Sequence, residues 1–310
     1  MHELSHLGRA LAKVLLYLYL PLAIVLGLLH YPYSTDASRQ PSEHLKSART
    51  FYEAAYRPGD ASTRGVDYEA TAAAAARKYD VEGTIRHFVT HYGLETRRVL
   101  EVGSGRGYLQ DVVADYTGLD LSSQVAPNYH KPFVVGSATD MPFPDDSFDA
   151  AWTVWVLEHI PTPERAFEEM RRVVKPGGVI FLAPAWNCPP WLAGGFDVRP
   201  YSDFTVAGKL VKASIPVRRS AVFTFAHLLP VRLVRLAHYQ VAGARTTLRF
   251  RRLEPNYEVY WQTDSDAAVS LDRYESKLWF ESRGDTCLNC GHLMTNMLGV
   301  GAPLVIRISQ

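Results

Sequence analysis

The apolar run Val99-Leu100-Glu101-Val102 leads directly into Gly103-Ser104-Gly105-Arg106-Gly107-Tyr108, a loop with glycine at every second position. Glycine belongs where the backbone turns sharply and a ligand lies against it with no side chain between. Where such a loop opens a helix, the unpaired N–H groups at the helix start suit an anionic part of the ligand. A second strand-like run ends at Leu119-Asp120-Leu121, and Asp120 stands 17 residues past Gly103. That spacing predicts a carboxylate at a strand tip, placed to accept both hydroxyls of a ribose. Loop and acid together point to a nucleoside-containing cofactor. They leave its class open, because dinucleotide oxidoreductases use a related loop.

The residues that follow narrow the choice. They read GSATDMPFPDDSFD over 136–149, AAWTVWVLEHI over 150–160 and EEMRRVVKPGGVIFL over 168–182. In this order, after the glycine loop and Asp120, they resemble the class I S-adenosylmethionine-dependent methyltransferase family, and within it the branch that methylates small molecules and lipids. The resemblance spans about residues 98–187 and implies S-adenosyl-L-methionine as the cofactor. By position it implies that Glu101, Gly103, Gly105 and Gly107 shape the loop around the methionine portion. Asp120 would hold the ribose, Leu121 would lie against the adenine, and Ser137 and Ala138 would meet the adenine edge. Thr153 would border the methyl group, with Trp155 beside the substrate. The family usually has an acid where this chain has Ser137; a neutral hydroxyl bonds an amino group more weakly than a carboxylate does, and Asp140 is the nearby acid to compensate. His159 has two readings, a packed histidine in a short helix or a general base for an acidic hydroxyl nucleophile. Trp186 and Asn187 follow the fifth strand, at the carboxyl edge where open α/β sheets bind ligands, and are the candidate substrate residues.

These residues need a scaffold, and the pattern around them supplies one. Strands are predicted at Val99–Val102, Tyr116–Leu121, Phe133–Val135, Phe148–Val154 and Val179–Leu182, with helices between them at Gly107–Ala114 and Thr162–Val174. Apolar strands alternating with helices predict an α/β fold: a Rossmann-like, doubly wound, mostly parallel sheet with helices on both faces. A short helix near Lys46–Tyr56 and a helix over 69–92 lead into it, and the strand-like run Pro303–Ile308 is placed to close the sheet. The organisation expected is a hydrophobic membrane-associating segment at 1–30, a linker and helical lead-in at 31–68, a methyltransferase core at 69–199, a basic amphipathic insertion at 200–253 and a C-terminal part, 254–310, that completes the sheet.

The flanks predict the setting. Val14 to Leu29 carries no charge over sixteen residues and, extended back to Ala10, has the length to span a bilayer. A cleaved signal peptide is the rival reading, but no small-x-small site follows the run, and a core or partner-facing helix is the bland one. Between Asp203 and Glu254 there is no acid and there are ten bases: Lys209, Lys212, Arg218, Arg219, Arg232, Arg235, Arg245, Arg249, Arg251 and Arg252. Their interleaving with Phe and Leu suits an anionic membrane surface better than nucleic acid. Overall charge decides nothing, with 33 basic and 32 acidic side chains. Cys188, Cys287 and Cys290 are too few for a disulfide framework; Cys287-x-x-Cys290 with His292 lacks the second ligand pair of a structural zinc site, so two reduced thiols and no metal are expected. The expected function is methyl transfer to a lipid or other apolar small molecule at a membrane, with the catalytic domain in the cytoplasm where the cofactor is made. The alternatives are methylation of protein or RNA, an NAD-dependent oxidoreductase, and a non-catalytic binding protein of the same fold.

Overall fold

Asp67 accepts from Ala70 N at 2.8 Å, and Asp80 accepts from Gly83 N at 3.3 Å, so each caps a helix start. The structure, a computed structural model, describes residues 13, 17–19, 21–26, 42–57, 64–242 and 245–309. The lead-in forms helices α1 (Ser42–Ala55), α2 (Tyr68–Lys78) and α3 (Val81–Tyr92). The single helix expected over 69–92 is broken, because Asp80 adopts a left-handed φ of 47° and its carboxylate caps α3 instead of continuing α2.

The sheet strands are β1 (Arg98–Val102), β2 (Asp115–Asp120), β3 (Phe133–Val135) and β4 (Phe148–Val154), then helix α4 (Pro163–Val173) and β5 (Val174–Ala183). Helices α5 (Val206–Arg218), α6 (Ala221–Ala242) and α7 (Arg273–Glu281) follow, then β6 (Thr286–Cys287), α8 (Leu293–Leu298) and β7 (Leu304–Arg307). The spatial order is β6-β7-β5-β4-β1-β2-β3. Strands β5, β4, β1, β2 and β3 run parallel, and β7 enters antiparallel beside β5. Alternate residues of each strand feed opposite faces. Leu100, Val102 and Leu119 pack with Phe167 and Trp279 on one side, while Val99, Tyr116 and Trp152 pack with Ile85, Phe88 and Phe181 on the other. Burial on both faces is what a parallel sheet requires. The architecture is the Rossmann-like, mostly parallel sheet expected, closed by the Pro303–Ile308 run.

Gly107–Ala114 departs from the expectation. It is a run of turns closed by i to i+3 bonds, Gln110 N to Gly107 O (3.1 Å) and Val112 N to Leu109 O (3.0 Å), and not an α-helix. Gly107 has φ +70°, outside the helical region, and the Gln110 side chain is drawn off to His130 N and Asn128 O. The segment still buries Leu109, Val112 and Val113. Its apolar spacing was therefore read correctly and its backbone was not.

The chain divides into two compact units, residues 34–198 with 243–310, and residues 1–33 with 199–242. The basic stretch 200–253 is thereby split. Its first part forms α5 and α6; its last part runs extended, with Thr246, Leu248 and Phe250 buried alternately in the core of the first unit. Arg232 and Arg235 are buried, so those two bases do not face outward as an anionic surface requires, while Lys209, Arg219, Arg245 and Arg249 are exposed. Among the described residues no single helix is long and apolar enough to cross a membrane; α5 and α6 reach that measure only as a pair bent by 85°. Of the apolar run 14–29, residues 17–19 and 21–26 are described, as helix, and the others lie outside the described residues.

Cys287 and Cys290 are joined in a disulfide, which corrects the expectation of two reduced thiols. β6 ends at Cys287, and the chain turns at once to bring the two Cα atoms to 5.5 Å, within bridging range. Cys188 is free and buried.

One ion pair fastens α4 to the end of the chain. Arg171 donates to Asp285 through Nε (2.5 Å) and Nη2 (3.1 Å), and the same carboxylate, fully buried, accepts from Ser309 N at 3.1 Å. Arg171→Ala strands that carboxylate, so a loss of about 3–5 kcal/mol is expected. Thermal unfolding should show it as a melting temperature lower by roughly 10 °C.

Candidate active site

The glycine loop is fixed by backbone before any side chain acts. Gly103 N and Ser104 N both donate to Leu119 O (2.8 and 3.0 Å), and Gly107 N donates to Ser104 O (2.9 Å). Gly103, Gly105 and Gly107 take φ of +74°, +49° and +70°, a region that side chains strain. Room is lacking too: a Cβ on Gly103 would meet Val156 at 2.2 Å, and one on Gly107 would meet the Tyr129 ring at 2.7 Å. Asp120 closes the cradle. Its Oδ2 accepts from Gly105 N at 2.8 Å and its Oδ1 from Ser122 N at 3.0 Å. A carboxylate has about four acceptor positions, so two remain for hydroxyls of a ligand.

Sequence reasoning missed what covers this cradle. Arg106, a non-glycine residue of the loop, pairs with Glu69 of α2 and donates to Tyr56 O at 3.2 Å. Glu53 of α1 accepts from Ser123 N at 2.7 Å. The Tyr56 hydroxyl lies 3.2 Å from where a Gly105 Cβ would sit. Tyr52 in α1 and Tyr56 just past its end, four residues apart, were the signal available. Tyr129 braces the loop from below, donating to Gly105 O at 2.7 Å and stacking on Phe133 with ring centres 4.4 Å apart.

Glu101 and Ser137 have side-chain partners within the protein. Glu101 accepts from the Tyr116 hydroxyl at 2.5 Å, its carboxyl buried. The Ser137 hydroxyl is 2.8 Å from Thr139 Oγ1 and accepts from Thr139 N at 3.2 Å, capping its own turn; Asp140 is exposed beside it. Ala138 packs against the core and Leu121 is half-buried after β2.

At the carboxyl ends of β4 and β5 a second wall assembles. Trp155 and Asn187 hold φ of 54° and 58°, and Asp264, from a distant loop, 61°. Non-glycine residues kept in that region by their surroundings cluster at functional sites. Trp155 N donates to Ala183 O (3.0 Å), Asn187 N to Leu271 O (2.8 Å), and the Trp155 ring meets Tyr79 edge-on at 6.0 Å. Glu158, with no exposed surface, accepts from Ala185 N through Oε1 at 3.0 Å. His159 has Nδ1 3.3 Å from Asp266 Oδ2 and Nε2 3.9 Å from Glu158 Oε1. Tyr52 donates to Asp266 Oδ2 at 2.7 Å, tying α1 to the same carboxylate. Burial alone would lower the His159 proton affinity, but the carboxylates of Asp266, Glu158 and Asp264 override it and push its pKa up to about 9. His159 therefore rests as imidazolium at neutral pH. Thr153 Oγ1, Glu158 Oε2, Trp186 Nε1, Asn187 Nδ2, Tyr257 OH and Asp266 Oδ1 are buried with no hydrogen-bond partner among the described residues. Native proteins leave few such groups.

Residues 100–182 match the family described as methyltransferase domain. Residues 100–182 form a class I methyltransferase domain. The chain is similar to a fatty-acid O-methyltransferase of Mycolicibacterium smegmatis, at 38% identity over 114 residues, covering 32% of this chain and 42% of that protein. It is similar to a 2-methyl-6-phytyl-1,4-hydroquinone methyltransferase of a Synechocystis species, at 37% over 102 residues, covering 29% and 32%. A phthiotriol/phenolphthiotriol dimycocerosates methyltransferase of Mycobacterium ulcerans is 33% identical over 141 residues, covering 40% and 52%. The chain thus spans about a third to a half of the length of these relatives.

The cofactor of a class I methyltransferase domain is S-adenosylmethionine, and the cradle fits it. The positive-φ glycines leave no side chain over the loop, and Asp120 keeps acceptor positions at the tip of β2. Gly103, Gly105, Gly107, Asp120 and Leu121 would hold it, and Thr153 stands at the end of β4 beside the loop. The site differs from expectation in one physical respect. Among the described residues no α-helix follows the loop directly, so the loop N–H groups, and not a helix start, would face an anionic end of the ligand.

Removing the Asp120 charge should cost the ligand two charge-assisted hydrogen bonds. Asp120→Asn is expected to weaken S-adenosylhomocysteine binding roughly ten- to a hundredfold in calorimetry. Glu101 gives a pH prediction. Burial raises its pKa from 4.5 to about 8, against the Tyr116 hydrogen bond. Between those pH values the folded protein keeps a proton that the unfolded chain has released, so stability falls as pH rises through the window. Glu101→Gln should flatten this part of the melting-temperature profile and stand above wild type at pH 8 by a few degrees, about 2–4 °C for each kcal/mol.

Proposed function

We propose that the protein is a methyltransferase that carries the methyl group of S-adenosylmethionine to a lipid or another apolar small molecule, at a membrane surface. The observation that carries this is that the glycine loop leaving β1 abuts the segment just past β4, where Val156 stands against Gly103, close in sequence to the buried, unpartnered polar atoms of Thr153 and Glu158. The cofactor supplies an electrophilic methyl on a sulfonium whose departure leaves a neutral thioether. The protein's part is to align the acceptor with that methyl, worth up to about 7–11 kcal/mol in effective concentration, and to keep water away. Trp155, Trp186 and Tyr257 make the wall largely aromatic, with polar points at Thr153, Asn187 and His159. That combination suits an apolar molecule bearing one reactive oxygen.

Two further facts support the acceptor class and the setting. The relatives named above act, by their names, on a fatty acid, a phytyl hydroquinone and phthiotriol lipids. In α5 and α6 the apolar side chains Val206, Leu210, Leu233, Val234 and Val241 are exposed, with Lys209 and Arg219 exposed among them. Apolar surface mixed with bases suits an anionic bilayer interface.

Incubation of the protein with methyl-tritiated S-adenosylmethionine and a total cell extract decides the acceptor class. Label is expected in the organic phase; label confined to protein or RNA overturns the lipid reading. In a flotation gradient with anionic vesicles the full-length protein should rise with the lipid. Recovery wholly in the bottom fraction overturns the membrane setting.

A further inference from the structure

Three carboxylates surround His159, those of Glu158 and Asp266 fully buried and that of Asp264 half-buried. An oxygen of Glu158, an oxygen of Asp264 and a ring nitrogen of His159 lie within 4.8 Å of one another. Asp266, also fully buried, faces the other side of the same ring at 3.3 Å from Nδ1. Three acidic side chains thus share one imidazole. Carboxylates gathered out of water repel each other and lose hydration, and a counter-charge between them offsets both costs. A second observation points the same way: Glu158 Oε2, in a side chain without exposed surface, has no hydrogen-bond partner among the described residues.

The placement around the ring is informative. Nε2 faces Glu158, at 3.9 Å, while Nδ1 faces Asp266, whose position is set by the Tyr52 hydroxyl at 2.7 Å. A histidine that ligates a metal through one nitrogen commonly presents the other to a carboxylate, which orients the ring and raises its basicity. Two carboxylate oxygens and one imidazole nitrogen form a donor set for Mn²⁺, Fe²⁺ or Zn²⁺ and not for an all-oxygen Ca²⁺ site. Three protein ligands leave coordination positions open for a further oxygen.

We propose that Glu158, His159 and Asp264 bind a divalent transition cation, that Asp266 positions the His159 ring for it, and that the open coordination positions take the oxygen of the methyl acceptor. Cation binding stands on the cluster alone; its service to the acceptor rests on the methyltransferase reading. Asp264 comes from the loop that also carries Asp266 and Tyr257, so the cation would pin that loop to the end of β4.

Full-length protein stripped with EDTA and titrated with MnCl₂ is the test. One tightly held Mn²⁺ per chain is expected from the loss of the free-ion paramagnetic signal, and pulsed resonance should show an imidazole nitrogen bound to it. Glu158→Gln and Asp264→Asn should each weaken Mn²⁺ binding about tenfold or more, with S-adenosylhomocysteine binding retained. Wild-type protein that takes up neither Mn²⁺ nor Zn²⁺, that binds Mn²⁺ without a nitrogen ligand, or that is matched by both variants overturns the site. Should a variant fail to fold, the nitrogen signal of the wild type decides by itself. Wild type that shows this signal but does not bind S-adenosylhomocysteine supports the cation site and overturns the methyltransferase reading.

Discussion

The carbonyl oxygen of Leu119 accepts two backbone N–H groups, from Gly103 and Ser104, and the cofactor side of the molecule depends on that point. β1 and β2 are paired so that Val102 lies opposite Leu119, which brings the end of one strand to the start of the loop leaving the other. The next residue, Asp120, is then within reach of Gly105 N. A register slip of one residue would turn Leu119 and Val102 to the wrong faces and carry the acid away from the loop. Apolar residues buried on both faces prevent the slip, because each face has its own cluster to fill. The cradle is therefore held by the core of the sheet.

This explains which parts of the fold were legible in sequence. β3 and β4 begin and end where the apolar runs do, β1 starts one residue earlier, and β2 is shifted by one residue at each end. A short strand buried on both faces has no freedom to extend into polar neighbours. Segments governed by local capping were harder. The Ala-rich stretch before Asp80 has helix propensity throughout, but one carboxylate that prefers a cap to a mid-helix position divides it. The stretch after the glycine loop has helical apolar spacing, and Gly107 together with the outward pull on Gln110 makes turns of it. The Cys287–Cys290 bridge lies beyond any spacing rule, since the same C-x-x-C fits thiols, zinc or a disulfide.

Composition served least well where burial decides the outcome. The acid-free stretch 204–253 reads as one basic surface, but Arg232 and Arg235 are buried and the last part is an extended, alternately buried segment of the methyltransferase unit. A long guanidinium stem packs as apolar matter, so a count of bases does not measure exposed charge. The exposed valines and leucines of α5 and α6 are the firmer sign of a surface that meets something apolar.

The two halves of the site are encoded differently. The glycine loop, Asp120 and Tyr129 lie close together in sequence and within the family match over 100–182, although Glu53, Tyr56 and Glu69, which cover the loop, precede it. The surroundings of His159 are gathered from α1, from the end of β4 and from the segment that carries Asp264 and Asp266, and much of them lies outside that match. Tyr52 and Asp266 meet across 214 residues of chain, and no spacing pattern could have paired them. In-line displacement from a sulfonium demands alignment more than any fixed set of catalytic groups. The wall is thus free to change its chemistry while the cradle stays constrained by the sheet. His159 meets Asp266 through a long-range contact, and the glycine motif carries no information about it.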